Sequence, residues 1–134
     1  MSKNNLVVEL ETSVNGVKFN ADASAVKAVF GKPSRSMKKA FFSKSRTDVY
    51  DDFHIFYSDK GQFEAIEVFG EVSVSVNGET VYPGTLAKAK KAIPGLSGEH
   101  EDFTSEKASV GITTDEDGKN ITSILFGCSG YYAK

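Results

Sequence analysis

The feature that most constrains the fold is an Asn-Gly pair that follows alternating apolar residues at two places in the chain. The tetrapeptide Ser-Val-Asn-Gly occurs at 13–16 and again at 75–78. This arrangement predicts a two-residue type I′ hairpin, because both central residues of that turn need positive φ. A chain with two such hairpins is expected to build antiparallel sheet in both of its halves.

Each predicted hairpin is followed by a short amphipathic segment with helix start and stop signals. Asp22 can cap a helix over 23–30 and Thr85 can cap one over 86–93, and each run is followed by glycine or proline. Helices this short are marginal alone in water, so each is expected to pack on a sheet.

A further hairpin is predicted after each helix, because strand-like runs flank a turn-forming segment there. The order ββαββ, found twice, predicts an α+β fold of tandem ββαββ repeats. They are expected to form antiparallel sheet with the two short helices packed on one face. We place the repeats at approximately 6–70 and 71–132 in a single domain over 1–134. The predicted strands lie at 49–58, 63–69, 108–112 and 121–126.

Charge and cysteine content narrow the function classes. A net charge of -2 creates no overall field that favours nucleic acid or an acidic membrane surface. Cys128 is the single cysteine, which excludes an internal disulfide framework and agrees with a reducing compartment. The polar start and the interrupted apolar runs predict neither a signal peptide nor a membrane-spanning helix. We therefore expect a cytoplasmic protein.

Side chains suited to catalysis are few and scattered. His54 lies in a strand-like run and is interpreted as a structural or surface residue, and His100 lies in a polar stretch. Cys128 has no neighbouring base in the sequence and is interpreted as a passive thiol. The acidic run at 115–120 lacks the bidentate Glu of a calcium loop and is interpreted as a turn. We expect no catalytic, cofactor or metal site.

The most unusual segment runs from 32 to 47, with six basic residues, no acidic residue and two adjacent phenylalanines, whereas 48–71 holds seven acidic residues and one lysine. A long loop is predicted at 32–47. It either complements the acidic strands of its own chain or forms a protein-binding surface. Nucleic-acid binding is disfavoured, because the nearby carboxylates repel phosphates. The candidate partner-binding residues are Arg35, Lys38, Lys39, Phe41, Phe42, Asp51 and Asp52.

Several segments resemble those of small uncharacterised bacterial two-repeat α+β proteins, some of which are similar to immunity proteins of toxin systems. The resemblance implies inhibition by binding, in which one protein covers another's active site, and it brings no catalytic residues. The segments are Phe-Gly-Lys-Pro at 30–33, Tyr50, the hairpin at 55–61 with its return strand at 64–69, the apolar strand at 124–126 and Gly-Tyr-Tyr at 130–132.

Taken together, these patterns predict a non-enzymatic protein-binding module, most concretely an immunity protein that neutralises a cognate bacterial toxin by binding it. The alternative is a small-ligand-binding or regulatory domain that uses the sheet face, and an enzyme comes third. No nucleic acid, membrane or cofactor is expected as a partner. The oligomeric state and the face that binds stay open at this level.

Overall fold

Two β-sheets and two short helices make up the protein, as seen in a computed structural model that describes residues 5–38 and 45–132. Neither helix in these ranges is long and apolar enough to cross a membrane. The elements in chain order are β1 (Asn5–Glu9), β2 (Ser13–Val14), β3 (Val17–Lys18), α1 (Ala23–Phe30), β4 (Arg35–Lys38), β5 (Arg46–Val49), β6 (Phe53–Tyr57), β7 (Phe63–Val68), β8 (Ser73–Val76), β9 (Glu79–Tyr82), α2 (Leu86–Ala92), β10 (Ser97–Glu99), β11 (Asp102–Ser105), β12 (Val110–Thr114) and β13 (Ile121–Gly127).

Eight strands form the large sheet, in the order β10-β11-β12-β13-β7-β6-β5-β4. Every neighbouring pair is antiparallel. The central pair, β7 and β13, joins the two halves of the chain, with Ile66 opposite Phe126 and Val68 opposite Ile124. The large sheet therefore begins with β10 at one edge and ends with β4 at the other.

Five strands form the small sheet, in the order β3-β2-β1-β8-β9. Its central pair is parallel, with Leu6 of β1 opposite Val74 of β8. The two predicted Asn-Gly hairpins, β2–β3 and β8–β9, are confirmed. Asn15 and Gly16 have φ of 50° and 83°, and Asn77 and the glycine after it have φ of 53° and 81°. These are the positive values that a type I′ turn requires.

The core lies between the large sheet and the layer formed by the small sheet and both helices. Side chains along a strand point to alternate faces, and the face of the large sheet that meets this layer is called here the inner face. Phe30 of α1 packs edge-on against Phe53 of β6 at 5.6 Å between ring centroids. Phe19 lies 4.8 Å from Phe63 of β7 by the same measure. One continuous cluster of buried residues joins all three parts.

The predicted fold class, tandem ββαββ repeats with both helices on one face of an antiparallel sheet, is wrong. Four strands follow each helix instead of two, the strands form two sheets, and β1 and β8 are parallel. The missed strands are β4, β5, β10 and β11; β4 and β10 are exposed at every position, whereas β5 and β11 have one and two buried residues. A strand that is exposed on both faces has no apolar alternation, so periodicity does not reveal it.

Both helices begin at the predicted caps. The Asp22 carboxylate accepts a hydrogen bond from the Ala25 amide at 3.2 Å, and the Thr85 hydroxyl accepts one from the Lys88 amide at 3.3 Å. The predicted β6–β7 and β12–β13 hairpins are also confirmed. The equivalence of 6–70 with 71–132 stays a prediction.

Adjacent residues of β1 test the layer arrangement. Leu6 is fully buried against the core, whereas Val7 points to solvent and is 52% exposed. Leu6→Ala is expected to lower the free energy of unfolding by roughly 2–5 kcal/mol, because it removes core contacts and leaves a cavity. Val7→Ala should change it by no more than about 0.5 kcal/mol. Urea unfolding followed by circular dichroism measures both, and equal effects would contradict the layer arrangement.

Candidate functional site

The basic stretch was expected to be a long loop, but in its described part, 32–38 and 45–47, residues 35–38 and 46–47 belong to two paired strands. The loop prediction is therefore wrong for these residues. Strands β4 and β5 pair over four residues, from Arg35 opposite Val49 to Lys38 opposite Arg46. All four residues of β4 are exposed, and Met37 is 45% exposed. The hairpin forms one edge of the large sheet.

The predicted partner-binding residues do not form one surface. Arg35 and Lys38 are exposed on β4, but they point to opposite faces of the sheet because three positions separate them. Asp51 is exposed in the turn between β5 and β6, where its carboxylate accepts a 3.4 Å hydrogen bond from the Ser34 hydroxyl. Lys39, Phe41 and Phe42 lie outside the described residues.

Asp52 has a structural role that the sequence did not suggest. Its backbone carbonyl accepts hydrogen bonds from the amides of Phe69 and Gly70 at 3.1 and 3.0 Å. Its carboxylate accepts a third from the Glu71 amide at 2.9 Å. A Cβ added at Gly70 would overlap Asp52. Asp52 thus ties the β5–β6 turn to the segment between β7 and β8, and charge reversal there would disturb the fold before it reported on binding.

A buried ion pair lies within the β4–β5 hairpin, on the inner face of the large sheet. Asp48 of β5 is fully buried and faces Arg46, with Nε at 3.1 Å from Oδ1 and Nη2 at 3.4 Å from Oδ2. The Ser36 hydroxyl of β4 donates a short hydrogen bond to the same carboxylate. Basic and acidic residues of this region therefore complement each other within the hairpin. A carboxylate buried this deeply is tolerated only when it is paired and hydrogen-bonded.

Two buried tyrosines complete the cluster. The Arg46 guanidinium lies over the Tyr57 ring, 4.5 Å from its centroid. The Tyr50 hydroxyl donates to the Gly31 carbonyl at 2.7 Å. Burial, and then the negative charge of Asp48, raise the pKa of Tyr50 to about 12, and both causes also raise the pKa of Tyr57. Both phenols stay protonated at neutral pH, so neither acts as a general base there.

The face of the large sheet opposite the core, called here the outer face, is covered by neither the small sheet nor a helix within the described ranges. Strand register places its side chains in rows. His54 packs against Phe69 at 4.8 Å between ring centroids, and Phe69 is 39% exposed. One row runs through Met37, Thr47, Phe56 and Ala65, and the next runs through Arg35, Val49, His54, Glu67 and Leu125.

The segment that carries Tyr131 and Tyr132 folds back over part of the outer face. The rings of Tyr131 and Tyr132 pack edge to face at 5.1 Å and are half-buried. A Cβ added at Gly127 would lie 2.6 Å from Cγ of Tyr131, and one added at Gly111 would overlap the Tyr132 hydroxyl. The two strand glycines make room for the two rings. Glycine inside a strand pattern is the signal that marks such close approaches.

A polar cleft of about 560 Å³ contains Cys128. Among the residues that the structure describes, its lining carries three carboxylates and one lysine, and no histidine that could serve as a base. Within the described ranges, no group of three or more His, Cys, Asp and Glu side chains could hold a metal ion. The cleft is lined by Glu11, Phe19, Asn20, Ser45, Ser58, Asp59, Lys60, Gln62, Glu64, Cys128 and Ser129.

Comparison with known proteins identifies the fold but no family. No family model matches the chain, and no curated protein matches it significantly. The chain is similar to an extracellular protein containing an SCP domain from Bacillus anthracis, with a TM-score of 0.57 and 12% identity over 85% of this chain and 45% of that one. It also matches a cysteine-rich secretory protein from Staphylococcus aureus, with a TM-score of 0.46 and 14% identity over 80% and 42%. The chain thus spans less than half of either protein, and the first likeness shows a shared fold alone.

The buried ion pair provides one test of the site. Arg46→Ala leaves the Asp48 carboxylate buried without its guanidinium and is expected to cost roughly 3 kcal/mol of stability, measured by urea unfolding. The double variant Arg46→Met/Asp48→Leu replaces both charges with apolar side chains and should recover most of that loss. A loss below about 0.5 kcal/mol in Arg46→Ala would show that the pair does not hold the hairpin.

The segment with Tyr131 and Tyr132, called here the tail, provides a second test of the site. Burial, and then the charges of Tyr131 and Glu67, raise the pKa of Tyr132 from 10.0 to about 12. Because the folded value is the higher one, the stability linked to the protonated phenol is fully present below pH 10 and is lost as pH rises through about 12. Gly111→Ala should displace the ring and lower its pKa towards 10, seen by ultraviolet titration against the same substitution in a Tyr132→Phe background.

Thr113→Ala is the matched control for Gly111→Ala, because Thr113 points to the same face two residues further along β12. It should leave the titration unchanged. An unaltered Tyr132 pKa in Gly111→Ala would mean that the tail does not rest on this strand.

Proposed function

We propose that this chain is a non-enzymatic protein-binding module that binds its partner through the outer face of the large sheet. The observation that carries the proposal is the pair of exposed apolar side chains on and beside that face, Met37 at 45% and Phe69 at 39% exposure. They flank the half-buried His54 and Phe56, and no second layer covers them in the described part of the chain. Exposed apolar patches of this kind mark interaction sites more often than scattered single residues do.

The composition of this surface supports a protein as the partner. Aromatic residues, Met and Arg are enriched in protein interfaces. The outer face supplies Met37, Phe56 and Phe69, with Arg35 at its margin. The opposite face of the same sheet is packed into the core. Such a surface is largely formed before binding, which reduces the ordering cost of association.

The most concrete form of the proposal is an immunity protein that neutralises a cognate bacterial toxin. It is supported by the resemblance of 30–33 and 55–69 to small bacterial proteins of that type. Inhibition by covering an active site needs no catalytic group on the inhibitor. A cytoplasmic location belongs to the same proposal and is supported by the lone Cys128. The similar Bacillus anthracis protein is described as extracellular, so cell fractionation is the appropriate test of location.

A small-ligand-binding domain is the second proposal, and the cleft beside Cys128 favours it. Its volume of about 560 Å³ lies within the usual size range of ligand pockets. The lining is polar, which suits a small hydrophilic molecule. A thermal-shift screen with Glu64→Ala as the control would detect such a ligand, because a ligand that binds only the folded state raises the melting temperature.

The protein-binding proposal is tested with the product of the neighbouring reading frame, expressed with and without this chain. The wild-type chain should protect the host cell from that product and bind it in calorimetry. Met37→Asp and Phe69→Asp should each weaken binding by about 30-fold, the equivalent of about 2 kcal/mol for an anchor side chain. Val7→Asp changes an exposed apolar residue of the small sheet and is the matched control.

The outcomes separate the parts of the proposal. Equal binding by all three variants, with unchanged melting temperatures, would place the interface elsewhere on the molecule. A neighbouring product that is not toxic, or that the chain does not bind, would contradict the immunity function. Toxicity that the chain relieves without binding the toxin would contradict the mechanism by direct inhibition.

A further inference from the structure

The two free edges of the large sheet carry opposite charge. At one edge, β4 presents Arg35 and Lys38, both exposed. At the other edge, β10 presents Glu99, and Glu101 and Asp102 follow directly and are also exposed. No further strand pairs with either edge in the ranges that the structure describes. An uncovered strand edge offers backbone donors and acceptors to another strand.

The directions of the two edge strands are compatible with pairing between molecules. All seven neighbouring pairs in the large sheet are antiparallel, so the first and the eighth strands run in opposite directions. A second copy that continues the sheet therefore brings its β10 alongside β4 in antiparallel orientation. The inner and outer faces of the two copies then coincide.

We propose that copies of this chain associate head to tail by pairing β4 of one molecule with β10 of the next. The register that places Arg35 opposite Glu99 also places Ser36 opposite Gly98 and Met37 opposite Ser97. Arg35 and Glu99 both belong to the outer face. Arg35 lies in the row that ends at Leu125 of β13. Glu99 lies in a row through Asp102 and Thr113 to Ser123, which is two residues from Leu125 on the same strand. Opposite charges directly across from each other stabilise strand pairs.

Charge favours this arrangement over a symmetric dimer. Two β4 strands would bring arginine and lysine side chains together, and two β10 strands would bring carboxylates together. Like charges across a strand pair are destabilising. The pairing of unlike edges is heterologous, so it generates either a ring or an open chain of copies. Association is expected to be weak and sensitive to salt, because exposed ion pairs contribute little and are screened.

The proposal does not depend on the toxin partner and is tested with this chain alone. Sedimentation velocity over a concentration series should show association of the wild type at about 0.01 M salt and its loss at about 1 M. Arg35→Glu/Lys38→Glu makes both edges acidic, and Glu99→Lys/Asp102→Lys makes both edges basic. Each variant alone should raise the dissociation constant at least tenfold. An equimolar mixture of the two should restore association, because each basic edge again meets an acidic one.

Lys88→Glu/Lys91→Glu is the matched control. It changes the net charge as much as the β4 reversal does, but on helix α2 and not on an edge strand, so it should associate like the wild type. If a charge-reversed variant does not fold, the double substitution Arg35→Gln/Lys38→Gln, which removes the charges without reversing them, replaces it. This variant should weaken association less than the full reversal does. A monomeric wild type at low salt, or a mixture of reversed variants that stays monomeric, would overturn the proposal.

Discussion

The pairing of β7 with β13 is the central contact of this fold. It joins a strand from the first half of the chain to the last strand of the second half, and Ile66, Val68 and Ile124 along it are fully buried. Because this pair is continuous, two four-stranded arrays become one large sheet. The same junction gives the sheet an inner face that both helices and the small sheet cover, and an outer face that they leave open.

Charge has two different uses in this fold, and burial separates them. Asp48 and Arg46 meet on the inner face, where a lone carboxylate would be costly, and together with Ser36 they hold the edge hairpin in place. Arg35 and Glu99 lie at the open edges of the sheet, where water solvates them and an ion pair contributes little stability. The buried charges thus stabilise the β4–β5 hairpin, and the exposed charges select which strand each free edge of the sheet pairs with.

The outer face includes part of the sequence that resembles small bacterial proteins. Tyr131 and Tyr132, which belong to that resemblance, lie across this face and occupy the space left by two strand glycines. Met37, Phe56 and Phe69 remain beside them as the apolar part of the surface. Of the predicted partner-binding residues, Lys38 points to the inner face and Asp52 accepts a hydrogen bond from a backbone amide, and their part in binding stays a prediction.

The local structure could be predicted from the sequence: both Asn-Gly hairpins, both helices with their Asp22 and Thr85 caps, and the hairpins after β6 and β12. Each depends on neighbouring residues alone, through positive φ, a capping side chain or an alternating pattern. Long-range packing set the features that the sequence did not predict: the division into two sheets, the parallel pairing of β1 with β8, and the exposed edge strands β4 and β10. Strands far apart in sequence pair because their pairing buries a shared core, which a local pattern does not show. A strand that is exposed on both faces has no alternation of apolar and polar residues, so its sequence does not predict it.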